Sequence, residues 1–308
     1  MQDVETHSWD AGKKALPAWS LPRDAVDQIA LPTEWPERVT REWALDGATG
    51  KGVRVCILDS GVDPSHPAVG ELESAVAIAV GENDEVVATE DTEGDVSGHG
   101  TACAGIVRQL APEASISSVR VLGANFTGSG NVLLGGLRYA IEQGFDVINM
   151  SLSTTKKPFA SILHELADSA YFKRTVLVAS AHNMPVESYP WRFSSVISVG
   201  SHEEPDPLAF FYNPSPPVEF FGRGVNVEVP WIGGRTLTVS GNSFATPHIS
   251  SICALLLSKH PELTPFQLKS VLYLTANNVG GGTCRTSPTC ALPSPPASSA
   301  RRHPTARS

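Results

Sequence analysis

Three glycine-flanked segments carry an aspartate, a histidine and a serine: Asp59 in ILDSGVDPSHP, His99 in SGHGTACAGIV and Ser243 in SGNSFATPHIS. A serine hydroxyl is inert at its own pKa. It becomes a nucleophile when a base within hydrogen-bond reach takes its proton, and the base needs an acid that fixes its tautomer. Those residue types are all present, in the order Asp59, His99, Ser243. Each alone also has a plain reading: a turn residue after a strand, the start of a helix, and a helix N-cap. A fourth residue extends the set towards acyl transfer. Asn183, in SAHNMP, follows an apolar run. Its side-chain amide, with the Ser243 N–H, is suited to hydrogen-bond a developing oxyanion.

Residues so far apart in sequence need a frame that gathers them. Short apolar runs at 53–58, 116–122, 145–152, 175–180 and 195–200 read as buried strands. Helix-like stretches at 100–111, 130–144 and 159–172 separate them. This alternation predicts an α/β fold: a doubly wound, mostly parallel central β-sheet with helices on both faces, in a single domain. Such sheets hold ligands at the carboxyl ends of their strands. Two more helices are expected at 243–260 and 263–277, the second with Thr264 as N-cap and Pro265 at its first position. Residues 1–48, rich in Pro and Trp, read as an arm docked on the main body; an inhibitor lying across the cleft is the alternative. Residues 49–280 form the main domain. Residues 281–308 read as a disordered, basic, Pro/Ser-rich tail.

The chain has 308 residues and a formal charge of −9, from 32 acids against 23 bases. Net negative charge argues against nucleic acid as a partner. No run of about 18 apolar residues exists, which argues against a membrane span. The acids are clustered. Residues 81–98 hold Glu82, Asp84, Glu85, Glu90, Asp91, Glu93 and Asp95 with no Lys or Arg. The segment reads as a surface loop that runs into His99; its functional readings are a metal site or an attractor for a cationic substrate. Five cysteines are present. Cys56, Cys103 and Cys253 lie in apolar segments and read as buried free thiols, whereas Cys284 and Cys290 could pair only with each other. Free thiols fit a reducing compartment. The N-terminus lacks the apolar stretch of a secretory signal. A cytoplasmic protein is therefore expected.

With these three blocks in this order, the chain resembles the subtilisin-like serine proteases (subtilases, peptidase family S8) over roughly residues 50–278. The resemblance implies a serine endopeptidase acting through an acyl-enzyme intermediate. Asp59 would orient His99, His99 would act as base and then acid, and Ser243 would be the nucleophile. Asn183 and the Ser243 N–H would form the oxyanion hole. A peptide or protein substrate would pair as a strand with Gly128, Ser129 and Gly130 and with Ser151, Leu152 and Ser153. The pocket for the residue before the scissile bond would be walled by Ser151–Ser153 and by Ser180, Ala181 and His182, with Ser188 near its floor. Asp95 would face the neighbouring substrate side chain and favour a basic residue there.

The chain also departs from the family pattern. His182 and Ser153 stand where glycine is usual, which implies a narrower or more polar pocket. Asn242 stands where threonine is frequent, with little expected effect. Ala68 replaces an aspartate ligand, and the calcium-binding loop of many secreted relatives is missing after the His99 helix. No tight structural calcium and no cofactor are expected, with a weak calcium site left open. The sequence reading is an intracellular protease of restricted specificity. The alternatives are a leader-removing maturation protease and a non-catalytic peptide-binding protein on the same scaffold. An esterase lacks support, because there is no G-x-S-x-G elbow and the residue order differs. Oligomeric state is left open.

Overall fold

The run Arg54–Asp59 is apolar at consecutive positions, a pattern that only a strand covered on both faces can bury. It forms β1, whose residues from Val55 onward are all buried. The computed structural model describes residues 35–81 and 85–279, with 20–22, 25 and 29. The 281–308 tail with Cys284 and Cys290, together with Glu82 and Asp84, lies outside these residues. Eight more strands join β1 in one sheet: β2 (Ser74–Val80), β3 (Val86–Glu90), β4 (Ser115–Arg120), β5 (Val147–Met150), β6 (Val176–Ser180), β7 (Ile197–His202), β8 (Phe211–Tyr212) and β9 (Phe220–Arg223). Their order is β3-β2-β4-β1-β5-β6-β7-β9-β8. Every pairing from β2 to β9 is parallel, and only the two outermost strands run antiparallel.

Successive side chains of a strand point to opposite faces, and β1 shows the result. Val55 and Ile57 pack with Cys103, Ala104 and Val107 and with Ile249, Ile252 and Leu256. Cys56 and Leu58 pack with Leu134 and Leu137 and with Leu163 and Ala167. The first face thus takes helices α2 (His99–Leu110) and α5 (Asn242–Lys259), and the second takes α3 (Gly130–Glu142) and α4 (Ala160–Phe172). Every residue of α5 from Phe244 to Leu257 is buried. At about 1.5–3 kcal/mol per large apolar side chain, that burial readily offsets the helix-breaking tendency of Pro247 within it. A short helix α1 (Arg41–Leu45), a single 3-10 turn (Lys157–Phe159), the C-terminal α6 (Pro265–Thr275) and a hairpin of β10 (Val227–Trp231) and β11 (Arg235–Val239) complete the described elements. No helix among the described residues is long and apolar enough to cross a membrane.

The sheet is doubly wound about β1. The chain leaves β1 for β2 and β4 on one side and returns to β5 on the other. That reversal opens a crevice at the carboxyl end of β1, where Asp59 stands.

Two sequence expectations change here. The acidic segment is not simply a loop, because Val86–Glu90 forms the edge strand β3, paired with β2. All five of its residues are exposed, so no buried alternation marked it in the sequence. In addition, the described part of the N-terminal arm lies away from the crevice. Trp43 stacks on His260 with ring centroids 4.1 Å apart. Lys259 Nζ donates to the Glu42 and Asp46 carbonyls. Lys259 ends the 18-residue α5, in which Ser243 is the second residue, and such a helix is about 27 Å long. Residues 35–48 therefore dock at the end remote from Ser243, and a cleft-covering role is corrected for this stretch. Finally, Lys269 of α6 donates to the Ser194 carbonyl at 2.7 Å, the Val196 carbonyl at 2.9 Å and Glu219 Oε1 at 2.9 Å. It fixes the segment that leads into β7.

Candidate active site

Asp59 ends β1 and is fully buried. Its Oδ1 accepts the Ser60 N–H at 2.8 Å and the His99 Nδ1–H at 2.8 Å. Its Oδ2 has no hydrogen-bond partner among the described residues. With the Nδ1 proton directed at the carboxylate, the Nε2 lone pair of His99 is left as the base. Backbone closeness makes this contact possible. At Gly100 a β-carbon would overlap the Gly61 carbonyl oxygen, so only glycine lets the start of α2 abut the end of β1. Gly98, the N-cap, has φ 97° and lies beneath the Trp231 ring of the hairpin.

Two influences on His99 oppose each other. Burial disfavours the imidazolium, while the Asp59 charge, the hydrogen bond to it and the more distant Asp95 charge favour it. The carboxylates prevail, and the pKa of His99 rises above the usual value of 6.5. That shift makes the imidazole a stronger base than a free histidine.

Ser243 is the second residue of α5, so its N–H has no intrahelical partner. Its carbonyl is also unusual. The residue four positions on is Pro247, which has no N–H to donate. The Ser151 hydroxyl donates to this carbonyl instead, at 2.7 Å. Ser151 Oγ in turn accepts from Asn149 Nδ2, and Asn149 Oδ1 accepts from Ser250. The nucleophile candidate is thereby held by a buried chain of hydrogen bonds from β5. Phe244 places its ring 5.2 Å from that of His99. Among the described residues no hydrogen bond joins the Ser243 hydroxyl to the imidazole. Such contacts commonly tighten only when substrate is bound.

Asn183 follows β6. Its Oδ1 accepts the Asn242 N–H at 3.0 Å, which leaves Nδ2 as donor. A β-carbon placed on Gly241 would lie 3.5 Å from Asn183 Nδ2 and 3.4 Å from Ser243 Oγ. The amide and the hydroxyl therefore border one small space, which Gly241 leaves open. Asn183 Nδ2 and the Ser243 N–H are placed to donate to an oxyanion in acyl transfer.

Other expected site residues fall differently. Asp95 is held by donors of its own chain. Its Oδ1 accepts from Ser60 Oγ and from the Ser97 and Gly98 N–H groups, and its Oδ2 accepts from the Thr101 N–H and hydroxyl. Five donors occupy the carboxylate, so it caps the start of α2. Gly130 is the first residue of α3, and Ser129 is its N-cap, accepting the Val132 N–H. Ser129 is extended, with φ −72° and ψ 150°, whereas Gly130 already belongs to the helix and is removed from a strand-pairing role. The Ser151 hydroxyl serves Ser243 rather than a pocket. Ser188 is fully buried and accepts from Trp191 Nε1, so it offers a substrate no polar group. Leu152 and Ser153 lie beyond the end of β5 and precede a bridge between Thr154 and Tyr189. Ser180 ends β6 and is buried, as is Ala181. His182 is half-buried, and its Nδ1 accepts the Met184 N–H. A cavity of about 460 Å³ lies beside Ala181, His182 and Asn242 and is lined further by Trp191, Val218 and Phe221.

Asn242 does more than expected. Its side chain accepts from Ser201 Oγ at 2.6 Å and donates to the Ala181 carbonyl at 3.1 Å. It ties the segment before Asn183 to β7. Nothing in the sequence around Asn242 announces this, because both partners come from distant strands.

A metal finds little here. Among the described residues, one group of three potential ligands exists: Asp59, His99 and Cys103. Burial and the Asp59 charge push the Cys103 thiol well above its ordinary pKa, and a protonated thiol is a poor ligand. The calcium position carried by the resemblance does not fit either. Ala68 brings no carboxylate, and α2 passes through Ala111–Ala114 straight into β4 with no inserted loop.

Comparison with known proteins agrees with this geometry. The pattern of the Subtilase family, Peptidase_S8, matches residues 50–287. The chain is 34% identical over 247 residues to the minor extracellular protease Epr of Bacillus subtilis (strain 168), a match covering 76% of this chain and 36% of that relative. It thus spans only about a third of Epr. It is 31% identical over 249 residues to subtilisin DY of Bacillus licheniformis, covering 76% of this chain and 87% of that one. A crystal structure of a cold-adapted subtilisin-like serine proteinase superposes with a TM-score of 0.59 at 26% identity, over 76% of this chain and 87% of the other.

Proposed function

The chain belongs to the subtilase family of serine peptidases, and from that premise we propose that it is a serine endopeptidase with Ser243 as nucleophile. The observation that carries this reading is the buried pair of Asp59 and His99, which leaves Nε2 as the base, with the ring of Phe244, the residue after Ser243, beside the imidazole. His99 takes the Ser243 proton as Oγ attacks the peptide carbonyl. Asn183 Nδ2 and the Ser243 N–H receive the oxyanion. His99 then protonates the leaving amine, and water repeats the sequence on the acyl-enzyme.

We further propose that the enzyme acts in the cytoplasm on a restricted set of peptides or proteins. The buried free thiols Cys56, Cys103 and Cys253 support a reducing compartment. His182, bulky and polar beside Asn183, supports a narrow pocket. We propose too that no tight structural calcium is required. An assay with excess chelator should leave turnover and melting temperature unchanged; a drop in either, restored by calcium, would overturn that point.

Labelling with a fluorophosphonate separates catalysis from mere peptide binding. The wild type should be modified at Ser243, and a protein that folds but resists the reagent is no protease. Asn183→Ala should lower kcat by about 10²–10³ with KM little changed. That magnitude is the one known for subtilisin's own oxyanion asparagine and is carried over from it. A loss below tenfold would remove Asn183 from the oxyanion hole.

A further inference from the structure

Between β4 and α3 the chain makes a tight turn over Gly123–Gly128. The Phe126 N–H donates to the Gly123 carbonyl, and the Gly123 N–H donates to the Thr127 carbonyl. Phe126 carries φ 56°, the left-handed region where glycine and asparagine are comfortable and bulky side chains are strained. Its side chain is 52% exposed. The ring meets the His99 ring edge-on, with centroids 5.8 Å apart and planes at 84°.

None of these features is explained by folding. The turn would be served better by a small residue, and an aromatic half in water adds little to a core. A strained, exposed aromatic held against a candidate base points to recognition. The other group expected near this place, Asp95, has its oxygens taken by five donors of its own chain, which hold the start of α2 together. We propose that Phe126 is a specificity-determining residue. Its exposed face forms the apolar wall of the subsite that receives the substrate side chain lying alongside His99, next to the scissile residue. That wall favours a large apolar side chain over a small or charged one. The proposal rests on the endopeptidase reading.

The test is cleavage of a peptide library varied at the positions flanking the scissile bond, with wild type, Phe126→Gly, Phe126→Asn and Phe126→Tyr. Glycine and asparagine adopt the turn's conformation without strain, so both variants should fold. A closed apolar pocket discriminates by about 10–200-fold, and a half-open wall belongs at the low end. Wild type and Phe126→Tyr should prefer leucine over alanine and lysine by about tenfold in kcat/KM at one flanking position. Phe126→Gly and Phe126→Asn should bring that ratio near one, chiefly through a fall of about tenfold in kcat/KM for the leucine peptide. An unchanged ratio overturns the proposal. So does a shift of the acid limb of the pH profile shared by all peptides at constant ratio, which would mark Phe126 as a simple shield for His99. If the wild type is not labelled by fluorophosphonate, the endopeptidase reading itself has failed, a different and separately visible result.

Discussion

Ser243→Ala is expected to lower kcat by on the order of 10⁶ while leaving the protein folded; the figure is that of the corresponding change in subtilisin, a relative, and is carried over from it. The local structure explains why the loss should be so clean. The substitution removes one oxygen atom. The carbonyl of residue 243 keeps its bond from Ser151, and the N–H in the first turn of α5 is unaltered, because both belong to the backbone. Alanine is also the best helix former. Substrate affinity should therefore survive, and KM should change little. The residual rate over water would report the work of Asn183 and the backbone donor alone. Steady-state turnover of a fluorogenic peptide, with a melting curve for each protein, reads this directly. Activity within tenfold of wild type would mean that another residue is the nucleophile.

The second large effect belongs to Asp59. Asp59→Asn should reduce kcat by about 10⁴, the scale known for the equivalent change in another serine protease fold. Asp59 Oδ1 receives two donors, the Ser60 N–H and the His99 Nδ1–H. An asparagine has two ways to fill the position, and both are damaging. With its amide nitrogen towards His99, the imidazole must move its proton to Nε2 and cease to be a base. With its oxygen there, the new N–H₂ group is buried in the place of Oδ2, which has no hydrogen-bond partner among the described residues, and the negative charge is gone in either case. The pH profile carries the sign. His99 must be neutral to act, so wild-type kcat/KM falls as pH drops through a pKa held above 6.5. Without the carboxylate, burial is left to dominate and the imidazolium loses its support. The acid limb should move to lower pH in the variant. A limb that stays in place would show that Asp59 does not set the titration of His99.

The central sheet and the candidate site residues were legible because their signals are local. β1, β5 and β6 are continuous apolar runs, and Asp59, His99 and Ser243 each lie in a short glycine-rich block. Elements that depend on partners were not legible. β3 buries none of its residues, so it left no periodic mark. Asp95 looked like a cleft charge because its five donors come from three separate stretches, Ser60, Ser97–Gly98 and Thr101, which only folding brings together. Ser151 looked like a pocket wall and Ser188 like its floor for the same reason. Their hydroxyls are claimed by Ser243 and Trp191, contacts that no spacing rule encodes. Phe126 was invisible because its meaning lies in a backbone angle and a neighbour, not in its residue type.

The ammonium of Lys269 sits among two carbonyls and a carboxylate, an oxygen set of the sort that also attracts free cations. A cation tethered to the chain differs from a bound one in having no dissociation constant. Its local concentration is set by covalent connectivity and does not follow the ions of the surroundings. The segment entering β7, and through it the Ser201–Asn242–Ala181 tie beside Asn183, is therefore ordered by a counter-ion that dilution cannot remove.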